Sequence, residues 1–208
     1  MSRTITVDEA VNANIAKKRV VDIDAQSTVA ERGVVPAAVA PYVVATETGD
    51  NLIHKTVLTC TALQLSVADD AGVAQYGGVQ VYTMPLGLIV SQAAKISGNL
   101  TMGATGTFID AFTGVNALGT VVATTGATLV STEATWLQST ANATAVTKVA
   151  AISSISVATA LTETSARCVD GTSTAAPVFL NFAIADDVSH TAGTGTFTGT
   201  ITLLWSKI

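Results

Sequence analysis

The segment GTGTFTGTITLLW, residues 193–205, places threonine at every second position from Thr194 to Thr202. Phe197, Ile201, Leu203 and Trp205 fall on the opposite parity. A spacing of two puts the hydroxyls on one face and the apolar groups on the other only if the backbone is extended, because a helix repeats every 3.6 residues. The segment is therefore predicted to be a strand, and it contains no acid, base or thiol. Its residues are suited to pairing and packing.

The rest of the chain agrees with an all-β fold. Thirty-three of 208 residues are threonine, and β-branched side chains fit a pleated surface better than a helix. Further strands are predicted at 55–67 (KTVLTCTALQLSV), through VAQYGGVQVYTMP with a break at Gly77-Gly78, and at 87–100. Another pair is predicted at 107–112 and 117–123, joined by a turn at 113–116, and a last strand before the terminal one at 177–187. The alternation in 55–67 is blurred by apolar groups on both parities, as in a strand covered on both faces. In 177–187, Val178, Leu180, Phe182 and Ile184 share one face, and Asn181 lies on the other. This strand and 193–205, joined by a polar connection, form the best candidate antiparallel pair. Residues 124–175 are small, hydroxyl-rich and nearly uncharged. A short helical turn is expected at Ser131-Thr132-Glu133-Ala134, and 143–161 is expected to be irregular with a short helix. The predicted fold is an antiparallel β-sandwich, with the jelly roll as one form it can take.

Charge is distributed unevenly. Charged residues make up 12% of the chain, against roughly 25% in an average soluble domain. Twelve of the 25 fall in the first 50 residues. Segment 7–19 (VDEAVNANIAKKR) suits a short helix, with acids at its start and bases at its end. We expect 1–50 to be an arm that gains order by lying on another surface, with 51–208 as the β body; the alternative is a helix and strand folded onto the body itself. The charge-poor body suggests a surface covered by other chains. A net charge of −5 and a pI near 4.8 disfavour nucleic acid and anionic membrane as partners. No stretch approaches the roughly 20 apolar residues of a membrane helix, and the N-terminus lacks a signal-peptide layout, so synthesis in the cytoplasm is expected.

A search for chemistry returns little. Cys60 and Cys168 are expected to be reduced thiols packed as small hydrophobes. His54 and His190 are expected at the surface or in turns, outside any metal-binding spacing. The tandem acids Asp69-Asp70 and Asp186-Asp187 are expected to be solvated turns, with a calcium site as the alternative. GTGTFTG mimics a GxGxxG motif, but strand follows it where a phosphate site needs a helix. Trp205 is expected in the core. Trp136, set among small polar residues, is the candidate for an oligomer or surface contact. Catalytic residues, cofactors and metals are all expected to be absent.

Three segments in order, VQVYTMPLGLIV, then STEA within a Thr/Ala-rich region, then DGTSTAAPVFLNFAIADD with GTGTFTGTITLLW, resemble virion structural proteins of tailed bacteriophages over roughly 76–205. The resemblance implies a cement or decoration protein located in the virion. Its partners would be the major capsid protein and further copies of itself, with a homotrimer as the first expectation. Arg3, Lys17, Lys18, Arg19 and Arg32 of the arm are then the candidates for capsid contact. The alternative is a receptor- or carbohydrate-binding module of a fibre or tail.

Overall fold

The computed structural model describes residues 32–49, 53–70, 74–102, 114–124, 128–141, 144–146, 149–157, 168–185 and 193–208. Among these residues, eleven antiparallel strands form one curled sheet: β1 (Val43–Gly49), β2 (His54–Asp70), β3 (Ala74–Thr83), β4 (Gly87–Met102), β5 (Gly114–Gly119), β6 (Leu137–Ala141), β7 (Thr144–Val146), β8 (Val149–Val157), β9 (Cys168–Gly171), β10 (Pro177–Ala185) and β11 (Gly193–Lys207). The all-β antiparallel expectation is met. The neighbour order is β6-β5-β10-β3-β2-β11-β4-β8-β7, with β1 added on β2 and β9 on β4. β6, at one end of this order, approaches β4 and β8 near the other, which shows how far the sheet rolls up.

The terminal strand is the spine. β11 pairs along most of its length with β2 on one side and β4 on the other. Its parity never slips: Gly195, Phe197, Ile201, Leu203 and Trp205 are all buried. Its two neighbours do slip. In β2 the buried set runs His54, Thr56, Leu58, Cys60 and then Leu63, Leu65, Val67. The change of parity falls at Thr61-Ala62, where Ala62 adopts φ 49° and the register against β11 shifts. The Ala62 N–H turns to Thr198 Oγ1 at 3.0 Å. This is a β-bulge. It corrects the expectation that 55–67 is covered on both faces: Lys55, Thr59, Gln64 and Ser66 are exposed, and one extra residue blurs the pattern. β4 slips in the same way between Ser91 and Ala93.

The bulges let the long strands serve two groups of partners. The first half of β2 pairs with β1 and its last residues with β3. The first residues of β4 pair with β9 and the rest with β8. Phe197 shapes the centre. Its ring lies over Gly98 and Gly199, which face each other across β4 and β11; a Cβ on Gly199 would stand 2.2 Å from Ser97 O. The glycines of GTGTFTG thus make room for backbone and for an aromatic ring.

Several expectations are corrected. β10 and β11 are not a pair, since β10 lies between β3 and β5 and β11 between β2 and β4. β3 runs through Gly77-Gly78 without a break, where Gly77 packs against Ser66 O and Phe182, and Gly78 against Asn181 and Leu180 O. Residues 114–116, expected in a turn, begin β5, which ends at Gly119. The 143–161 segment contains β7 and β8 where irregular structure was expected. The short helix expected at 7–19 and the strand at 107–112 lie outside the described residues.

The boundary at residue 50 also moves. Val34 bridges Thr83 on β3, Pro36 accepts hydrogen bonds from Val39 and Ala40 as it opens a turn, and 43–49 is β1 on the body's own sheet. Residues 34–49 therefore belong to the body. The 3-10 turn at Ser131–Ala134 forms as expected.

Most of the buried apolar side chains form one core inside the curl, with Trp205, Tyr82, Phe182 and Phe197 its largest fully buried members. A smaller cluster of Ala117, Ala123, Leu129 and Ala183 lies on the opposite face of β5 and β10. These two strands are thus buried on both sides, and the segment after β5 supplies the second cover.

Candidate functional site

Two buried polar clusters hold most of the chemistry-bearing side chains that the structure describes. The first lies under β1. β1 follows a turn at Pro36–Tyr42, and its register sets Val43 and Glu47 opposite the buried Cys60 and Thr56, so Glu47 reaches the core. Glu47 Oε2 accepts a hydrogen bond from the Tyr82 hydroxyl at 2.7 Å. Glu47 Oε1 stands 3.2 Å from His54 Nδ1, with both side chains 8% exposed, and accepts no well-aligned hydrogen bond. The His54 ring stacks on Trp205, with centroids 4.1 Å apart and planes 9° from parallel. Trp205 Nε1 donates to Thr56 Oγ1 at 2.9 Å. Burial, reinforced by the Glu47 carboxylate, pushes the Tyr82 hydroxyl well above its ordinary value and keeps it a proton donor.

His54 is therefore not the surface histidine the sequence suggested. It begins β2 at the point where Trp205 ends its run on β11, and the register sets the two rings side by side. The carboxylate–imidazole contact has the form of half a catalytic set. Its neighbours are a tyrosine, a threonine and a tryptophan already engaged with one another inside the core. Chemically, the arrangement fastens β1 to β2, β3 and β11.

The second cluster fixes the cover over β5 and β10. Asn181 is fully buried: Oδ1 accepts from Ala123 N at 3.0 Å, and Nδ2 donates to Val121 O and Glu133 O, both at 2.8 Å. The Glu133 carboxylate accepts from Thr124 N at 2.9 Å and Val130 N at 3.3 Å. Both polar side chains spend most of their bonding capacity on backbone groups, and so are satisfied as buried groups must be.

Trp136 lies in this region, and its place corrects the contact expectation. It is 3% exposed, packs in the main core, and its Nε1 donates to Pro177 O at 3.1 Å. The small polar residues before it in sequence belong to the cover, while the indole packs in the main core. Cys60 is buried as expected, and burial pushes its thiol up to about 12; Cys168 is exposed, contrary to expectation. Arg32 is exposed at the start of the described chain. Arg3, Lys17, Lys18, Arg19, His190, Asp186 and Asp187 lie outside the described residues, as do the side chains of Asp69 and Asp70 at the end of β2. Among the described residues, no three His, Cys, Asp or Glu side chains gather as a metal site, and no helix is long and apolar enough to cross a membrane.

The outer face of β1, β2, β11 and β4 is a broad, regular surface. Its rows run Val44–Thr59–Thr200–Ser97, Thr46–Val57–Thr202–Lys95 and Thr48–Lys55–Leu204–Ala93. Hydroxyls and apolar groups are mixed across it, with two lysines and no carboxylate in these rows. The sequence pointed to the threonines. It did not show that the rows align, because alignment depends on the register in which non-neighbouring strands pair. Comparison with known proteins finds no protein family and no curated protein that matches the chain.

Proposed function

We propose that the chain is a non-enzymatic structural protein of a tailed-phage virion, a cement or decoration protein that binds the capsid shell and holds neighbouring capsomers together. The observation that carries this reading is the four-stranded outer face. It is broad, continuously paired, rich in hydroxyls and without carboxylates in its rows, and so suits burial against protein at a modest desolvation cost. Binding energy gained only on the intact shell opposes its expansion or rupture by mass action. The polar clusters support the same reading, because Glu47, His54, Glu133 and Asn181 are engaged in fastening strands and cover. The fibre-module alternative relies on exposed stacking aromatics, and both tryptophans are buried.

The test is cosedimentation of the purified full chain with empty shells assembled from the same phage's major capsid protein. Saturable pelleting at a fixed ratio to the shell subunit, with a raised shell melting temperature, is expected. A chain that stays in the supernatant while binding a glycan panel would overturn the proposal in favour of the fibre module.

A further inference from the structure

The sheet's boundary strands differ in how they meet solvent. β9 has four residues, and its Asp170 carboxylate turns back to the N–H and hydroxyl of Thr172, ending the strand in a bend. β1 has seven residues, VVATETG, with no lysine, proline or bulge. Among the described residues, only β2 pairs with it. Natural sheets rarely leave a flat edge of this length without a device against pairing. The one charge on β1, Glu47, points inward and is engaged by His54 and Tyr82. Val44, on the outer face, is 66% exposed.

The direction of the free hydrogen-bonding groups follows from one bond. Tyr42 O accepts from Thr61 N on β2, so the even residues of β1 bond to β2. The N–H and C=O groups of Ala45 and Glu47 therefore face away from the sheet. We propose that this edge pairs antiparallel with β1 of a second copy across a two-fold axis at Thr46. Ala45 and Glu47 of each chain then exchange ladder bonds with Glu47 and Ala45 of the other. The two Thr46 residues meet as the non-hydrogen-bonded pair, and no like charges stand opposite each other. The outer face continues unbroken from one copy into the next. A second copy fits better than an unrelated strand because an isologous contact needs one patch to be its own complement, and this register makes β1 so. The contact is independent of shell binding, and it replaces the expected isolated trimer with an even-numbered assembly.

The experiment uses the full-length chain with Cys168→Ser as background. Thr46→Cys should form a disulfide-linked dimer under mild oxidation about tenfold or more faster than Thr200→Cys on the middle of the same face, because only the first pair is held at bonding distance. Ala45→Pro removes a single outward N–H and leaves the bonds to β2 intact. It should keep the parent melting temperature and lower the mass measured by light scattering from an even multiple of 21.0 kDa to half that value. Equal cross-linking rates at the two positions, a parent mass of one or three chains, or an Ala45→Pro variant of unchanged mass would each overturn the proposal.

Discussion

Replacing Trp205 with alanine should bring the protein close to unfolding. The indole is fully buried on β11, stacks on His54 and donates to Thr56. Truncating a buried aromatic to alanine costs about 3–5 kcal/mol through lost transfer energy and the cavity left behind. Thr56, itself fully buried, loses one of its hydrogen bonds, which adds about 0.5–1.5 kcal/mol. The sum, about 4–6 kcal/mol after allowing for partial relaxation, is comparable to the whole stability of many domains. For a chain of this length it lowers the melting temperature by roughly 10–20 °C, measured by circular dichroism or calorimetry. Trp205→Phe keeps most of the apolar volume and removes the N–H, so it should lose roughly a third as much. An alanine variant melting within about 2 °C of the parent, a shift worth only about 1 kcal/mol, would refute the claim that β11 is the spine of the core.

Asn181→Ala should detach the cover over β5 and β10, at a cost of about 2–4 kcal/mol, and hydrogen exchange should rise first at residues 120–135. Gly199→Ala should destabilise by about 1–3 kcal/mol, read as a shift in denaturant midpoint, because its methyl would meet the Ser97 carbonyl and the Phe197 ring. The Cys60 thiol ionises at about 12 in the folded chain against an ordinary 9.0. Its contribution is therefore complete below pH 9 and declines as pH rises toward 12, and Tyr82 adds a loss of the same sign. Alkaline titration followed by fluorescence should show this decline, and it should be shallower in Cys60→Ala. At neutral pH a thiol reagent should label Cys168 and spare Cys60.

The elements the sequence revealed best were those with unbroken parity. β11 and β10 could be read residue by residue, and Ser131–Ala134 was recognisable from its turn-forming residues. β2 defeated the same logic because one added residue at Ala62 moves every later side chain to the other face, and nothing in TCTALQ marks the insertion. Pairing was less legible than strand position. β10 and β11 are adjacent in sequence, but two other strands, β3 and β2, come between them, a non-local choice decided by packing. The polar clusters were hidden for a related reason. Trp205 is far from Glu47 and His54 in sequence, and only the register of β1 and β11 on β2 brings the three together. Trp136 misled because its sequence neighbours are polar, although its own side chain packs in the main core.

The most direct test of the account is the composition of purified virions. Quantitative mass spectrometry should find the chain at a fixed ratio to the major capsid protein, in DNA-filled particles and in tail-free heads alike. Its absence from particles, or its recovery with detached tails and fibres only, would contradict a role on the shell.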